Sequence, residues 1–183
     1  MLMTSMIFVG CSTGRSPGLA PLRILSTYAT ACGRATSQTG PFYCPGDQKI
    51  YFDLDFLDEL QRRFGADGEF AQVYILAHEG GHHLQTLLGV EQQVRRQQQA
   101  DPGRANALSV QLELQADCFA GVWSTLADRI EGQGIVLTQQ DIREAENAAA
   151  AVGDDRIQMA TSGRVSPESF THGSSAQRTN WFK

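Results

Sequence analysis

Residues 69–88 read EFAQVYILAHEGGHHLQTLL. Phe70, Val73, Ala77, Leu84 and Leu88 fall near one side of a helix, and Gly89 stops it. Inside this helix stands His78-Glu79-Gly80-Gly81-His82. Residues four apart on a helix share a face, with Cβ atoms about 6 Å apart. Two imidazoles at that spacing can converge on one Zn²⁺ at about 2.0–2.1 Å each. Glu79 sits beside the first imidazole, where it cannot comfortably bind the same ion but can reach a water at an open coordination position.

A catalytic zinc normally takes three protein ligands and a water. A carboxylate on another helix can complete the set, and Glu113-Leu114-Gln115-Ala116-Asp117 supplies one. Glu113 and Asp117 again share a face. Glu113 is the expected third ligand. Asp117 is expected to accept the remaining N–H of a ligand histidine, His78, which fixes the tautomer and raises the ligand's basicity. Ala116, Ala120 and Gly121 are small enough to let this helix approach the first closely. Gly80 and Gly81 cost about 1 kcal/mol each against alanine inside a helix, so close packing around a metal is a reason for them.

The chain has four histidines. His83 points about 100° away from His82 and is expected to be peripheral or exposed. His172, in Phe170-Thr171-His172-Gly173-Ser174-Ser175, is either an exposed loop residue or a donor to the oxyanion of a tetrahedral intermediate. Tyr43 is a second, less supported candidate for that donor.

Outward from these helices, residues 1–21 are expected to be an irregular leader, with 22–183 one domain. Met1 to Gly10 is apolar but has no lysine or arginine, so it lacks the start of a signal peptide, and it is too short to span a bilayer. Phe8-Val9-Gly10-Cys11 has only a slight likeness to a lipoprotein cleavage site. Residues 22–28 and 49–54 read as strands of one small sheet; if the second is an edge strand next to the cleft, it can add an extended peptide. A helix with Phe56, Leu57, Leu60 and Phe64 on its apolar face should follow Asp53 or Asp55. Residues 91–100 are polar, helix or loop. Asp101-Pro102 opens a helix running to about Asp128. Thr138 and Asp141 open another, continuing past Gly153 toward Met159. The tail from Ser162 reads as loop, anchored by Phe170, Trp181 and Phe182.

The formal net charge is -5, and Arg95-Arg96 is the only dense basic spot, so no nucleic-acid partner is expected. Of four cysteines none forms a C-x-x-C pair, which argues against a zinc ribbon. Cys118 reads as a buried small hydrophobe. Cys32 and Cys44 bracket a turn-rich loop and are candidates for a disulfide, which would imply an oxidising compartment.

Four stretches carry a resemblance: 40–45 (GPFYCP), 77–85 (AHEGGHHLQ), 113–121 (ELQADCFAG) and 171–178 (THGSSAQR). In this order they resemble the bacterial neutral zinc metallopeptidase family, over roughly residues 28–183. The resemblance implies a zincin whose third ligand is a glutamate, which supports Glu113, and it raises the standing of His172. It implies an N-terminal membrane anchor and a cell-envelope or extracytoplasmic location; the leader here is unlike that of relatives, so the anchor is expected to be missing or altered. Gly80 stands where relatives carry a larger residue.

Together these features predict an α+β, zincin-like chain, mainly helical, with a small N-terminal sheet and the metal between two helices. The expected function is a zinc metallopeptidase holding one Zn²⁺ per chain, with a peptide or protein substrate. Glu79 would be the general base for a zinc-activated water. A non-catalytic zinc-stabilised scaffold and a zinc hydrolase of non-peptide amides are the alternatives.

Overall fold

The computed structural model describes residues 6–9, 27–36, 39–53, 61–62, 68–127 and 136–183. Helices predominate, and two small sheets lie toward the N-terminal end. The strands are β1 (Met6–Val9), β2 (Thr27–Thr30), β3 (Gly33–Thr36), β4 (Phe42–Cys44) and β5 (Lys49–Asp53). The helices are α1 (Glu69–Leu87), α2 (Val90–Ala100), α3 (Ala105–Leu126), α4 (Gln139–Ala151), α5 (Asp154–Ser162) and α6 (Ser175–Phe182).

The strands differ from expectation in two ways. β2 does not join β5; it pairs antiparallel with β3 as a separate hairpin, Tyr28 opposite Ala35, while residues 22–26 lie outside the described residues. β5 is no edge strand. It runs between β1, to which it is parallel, and β4, to which it is antiparallel, so both its edges are paired and a peptide cannot add there. β1 itself falls inside the leader expected to be irregular. The Cys32–Cys44 disulfide is formed and ties the β2–β3 turn to β4. Of the helix expected around Phe56 to Phe64, Gln61 and Arg62 are helical and the rest lies outside the described residues.

α1 and α3 pack together at the centre. Gly81 explains how closely: a Cβ there would stand 2.9 Å from the carbonyl oxygen of Ala116 and 3.0 Å from its Cα. Gly80 has nothing within 4 Å of an added Cβ, so only one of the two glycines is required by packing. The core joins Phe52, Phe70, Tyr74 and Ile75 to an alanine face of α4, Ala145, Ala148, Ala149 and Ala151, all at 0% exposure. Alanine on that face removes bulk that would hold α4 away from α1.

α4 opens with the capping box of Thr138 and Asp141. It does not run on past Gly153. The Ala150 carbonyl accepts from Ser175 Oγ at 2.7 Å, and the Asp154 N–H, which would have continued the helix to that carbonyl, donates to Gly173 O at 2.9 Å. A new helix, α5, therefore begins. The tail is also more regular than expected. Ser174 and Gln177 form a reciprocal capping box that starts α6. Phe182 is buried against the core, Trp181 is half exposed and Phe170 is partly buried.

Candidate metal centre

α1 and α3 place their ionisable residues face to face. His78, His82 and Glu113 each offer a donor atom, all within 4.8 Å of one another. His78 Nε2 lies 3.2 Å from Glu113 Oε2 and 3.2 Å from His82 Nε2, and His82 Nε2 lies 3.4 Å from Glu113 Oε1. Bonds of about 2.0–2.1 Å at a tetrahedral angle put ligand atoms about 3.3 Å apart, so the two imidazole nitrogens, and the Glu113 oxygen that faces each of them, stand at separations that zinc ligands take.

The partners of the other ring nitrogens decide what these atoms can do. Asp117 Oδ1 lies 2.8 Å from His78 Nδ1, and a carboxylate can only accept, so Nδ1 carries the proton. Gln85 Oε1 lies 2.9 Å from His82 Nδ1. The Gln85 amide is oriented by its Nε2, which donates to Leu112 O at 2.7 Å and Gln115 Oε1 at 3.1 Å. Neutral imidazoles held this way point two bare Nε2 lone pairs and a carboxylate at one spot. Only a cation relieves that arrangement, and a site of two imidazoles and one carboxylate suits a divalent metal such as zinc.

Without a metal, protons take its place. Burial opposes the charge on His78, but hydrogen bonds to Asp117 and Glu113 outweigh it and raise its pKa to about 9. His82 is raised too, with Glu113 overcoming burial, and the same histidines outweigh burial to hold Glu113 well below the usual carboxylate range.

Asp117 is fully buried and saturated with donors. Besides His78 it accepts from Tyr74 O–H at 2.6 Å, from Arg178 Nε at 3.0 Å and from Arg178 Nη2 at 3.0 Å. Arg178 also donates to Val152 O at 3.2 Å, which ties α6 to the end of α4. Its Nη2 lies 3.3 and 3.4 Å from the two ring nitrogens of His78, so a positive charge rests against that ring and opposes its protonation.

Glu79 is buried and lines a cleft of about 850 Å³ together with His78, His82, Glu113 and His172. Burial raises its pKa, and the neighbouring His82 and His78 moderate the rise. A backbone hydrogen bond from Tyr43 on β4 also holds its carboxylate. Residues 39–43 and Pro45 form one wall of the cleft, and Leu112, Val152 and Ile157 stand among the other lining residues. His172 Nδ1 approaches Asp154 Oδ1 at 3.2 Å. The structure therefore brings together His78, Glu79, His82, Glu113 and Asp117, and places His172, an exposed loop residue, along the same cleft. His83 is peripheral to the cluster, its Nδ1 3.0 Å from Tyr43 Oη. Cys118 is partly buried and unbonded.

Three residues of the site had no role assigned from sequence. Gln85 stands three residues after His82, a helical spacing that places it on the same face, so its role was legible in principle. Arg178 and Tyr74 gave no local signal, because their partner Asp117 is 61 and 43 residues away.

No solved structure matches the chain. Among curated proteins, "Uncharacterized protein YpfJ" of Escherichia coli (strain K12) is 55% identical over 155 residues, covering 84% of this chain and 53% of the relative. "Uncharacterized protein Rv2575" of Mycobacterium tuberculosis (strain ATCC 25618 / H37Rv) is 52% identical over 160 residues, covering 84% and 53%. The chain thus spans about half the length of the curated relatives it matches. The family described as "Putative neutral zinc metallopeptidase" matches residues 21–183. With that match over most of its length, and with a histidine pair and a glutamate spaced for one metal, the chain belongs to this neutral zinc metallopeptidase family.

Proposed function

We propose that the chain is a zincin-like, zinc-dependent peptidase that hydrolyses peptide bonds without a covalent intermediate. The observation that carries this reading is the convergence of His78 Nε2, His82 Nε2 and Glu113 at 3.2–3.4 Å beside the buried carboxylate of Glu79 in a large cleft. His78, His82 and Glu113 would hold one zinc per chain. Zinc bound there supplies Lewis acidity and lowers the pKa of water.

The chain's own residues do the rest. Glu79 takes the proton from the attacking water and passes it to the leaving amine; its raised pKa suits a base working near neutrality. Asp117 and Gln85 keep the two histidines in the tautomer that leaves Nε2 bare. His172, lining the same cleft, donates to the oxyanion that develops on the scissile carbonyl. The substrate is a peptide or protein segment lying along the cleft. The Cys32–Cys44 disulfide favours an extracytoplasmic location, although no helix among the described residues is long and apolar enough to cross a membrane.

Mass-spectrometric mapping of products from a diverse peptide mixture tests the proposal. The zinc-loaded protein should cleave, chelator should abolish cleavage, and Glu79→Gln should keep zinc but lose turnover. Zinc-loaded wild type that leaves every peptide intact, or a Glu79→Gln variant that still cleaves, rejects it.

A further inference from the structure

Asp154, the first residue of α5, divides its two carboxylate oxygens between two tasks. Oδ2 accepts the backbone N–H groups of Thr171 at 2.8 Å, His172 at 2.7 Å and Gly173 at 3.0 Å. Oδ1 faces the His172 ring, 3.2 Å from Nδ1. The neighbouring Asp155 ties the following residue, accepting from Ser175 N at 2.7 Å and Ser175 Oγ at 2.8 Å. The loop that carries His172 over the cleft is thus fastened to the start of α5 at successive residues.

We propose that Asp154 is the positioning residue of His172: it holds the loop by Oδ2 and fixes the imidazole by Oδ1, with Nδ1–H toward the carboxylate and Nε2 toward the cleft. Three backbone bonds alone would be a structural tie. The bond to the ring goes further, because it selects a tautomer. Thr171 Oγ1 also lies 3.1 Å from Nδ1, but a hydroxyl can donate or accept and so selects nothing. The carboxylate can only accept, so it decides that Nδ1 carries the proton. Nε2 can then donate to an oxyanion only when the ring is protonated. Asp154 promotes that form: its hydrogen bond to the ring raises the His172 pKa, with burial opposing, Glu113 assisting and Arg178 opposing. A charged donor bonds an oxyanion roughly twice as strongly as a neutral one. This inference rests on the reading of His172 as an oxyanion donor.

Asp154→Asn separates the two tasks. Its amide oxygen can keep the place of Oδ2 on the backbone N–H groups, while its NH₂ replaces the acceptor facing the ring. The experiment is ¹H–¹⁵N long-range NMR of the histidine rings in the zinc-loaded full chain, with His172 assigned by its loss in His172→Gln. In wild type the neutral His172 ring should carry its proton on Nδ1. In Asp154→Asn the proton should move to Nε2 and the His172 pKa should fall. In turnover assays kcat should drop about tenfold or more with KM little changed, and the drop should vanish when His172→Gln is already present. A wild-type ring protonated on Nε2 overturns the proposal, and that measurement needs no folded variant. So does an Asp154→Asn penalty of equal size with or without His172. A zinc-loaded wild type with no turnover would instead reject the peptidase reading, leaving the ring measurement to judge the positioning of His172 by itself.

Discussion

The carboxylate of Asp117 lies 2.8 Å from Nδ1 of His78, joining α3 to α1 at the one ring nitrogen that does not face Glu113. Gln85 does the same for His82 from within α1. Partners of this kind typically account for about 10–100-fold in metal affinity when removed. Asp117→Asn and Gln85→Met should therefore each weaken zinc binding by roughly that factor, with His78, His82 and Glu113 untouched. Competition against a chelating dye measures it. Unchanged affinity in both variants would mean that ring orientation does not matter here.

Arg178 hydrogen-bonds Asp117 twice, through Nε and Nη2, and carries its charge whether or not His78 is protonated. Both side chains are buried, with Arg178 at 4% and Asp117 at 0% exposure. Removing one partner of such a pair leaves an uncompensated buried charge, at about 3–5 kcal/mol. Arg178→Met should lose about that much stability in denaturant unfolding, and Arg178→Lys should recover only part because it cannot form the two-pronged contact. A loss below about 1 kcal/mol would show that the pair is not isolated from solvent.

The two neighbouring glycines of α1 should respond in opposite directions. Gly80→Ala meets open space and removes a helical glycine, so it should stabilise by about 0.5–1 kcal/mol. Gly81→Ala forces a Cβ against the backbone of Ala116 and should destabilise by roughly 1–3 kcal/mol while opening the distance between the histidine pair and Glu113. Thermal unfolding of both variants, with and without zinc, separates them. Equal shifts would contradict the packing described for α3.

Local chemistry made much of this site legible. The spacing of His78 and His82, the spacing of Glu113 and Asp117, and the cap at Thr138 are all patterns within one helical turn, and the structure places each of them as that spacing requires. The errors arose where a distant partner decides the outcome. Lys49–Asp53 alternates as a strand does, but whether it lies at an edge is set by Met6–Val9 and Phe42–Cys44, which pair with it on both sides. Ala148 to Met159 has the composition of one helix, but Ser175 takes the carbonyl that would have continued it. Arg178 carries no local signal of its role, because α6 brings it onto Asp117, 61 residues away in sequence. The Ser174 and Gln177 capping box is the exception, a helix start that is local and legible in the sequence.

Zinc uptake should be linked to protons. In the metal-free protein His78 is raised from 6.5 to about 9 by its hydrogen bonds to Asp117 and Glu113, which outweigh burial. A raised pKa stabilises the fold fully below the unfolded value of 6.5, and that contribution disappears as pH rises through about 9. Metal binding needs the deprotonated ring, so the two trends oppose each other. Zinc affinity should climb between pH 6.5 and about 9, up to about tenfold per unit for each protonated histidine, while the metal-free protein loses stability over the same interval. Calorimetry at pH 7 in buffers of different ionisation enthalpy should show proton release on zinc binding. Binding without proton release would contradict the protonation state assigned to His78.

The claim on which the rest depends is that His78, His82 and Glu113 close on one metal and leave it an open position. X-ray absorption at the zinc edge of the loaded protein tests this most directly. The predicted spectrum has two imidazole nitrogens at about 2.0–2.1 Å, oxygen ligands at about 2.0–2.2 Å and no sulfur, and Glu113→Gln should lose bound zinc or change the oxygen shell. A site with sulfur, with one imidazole, or unaltered by Glu113→Gln would contradict the account.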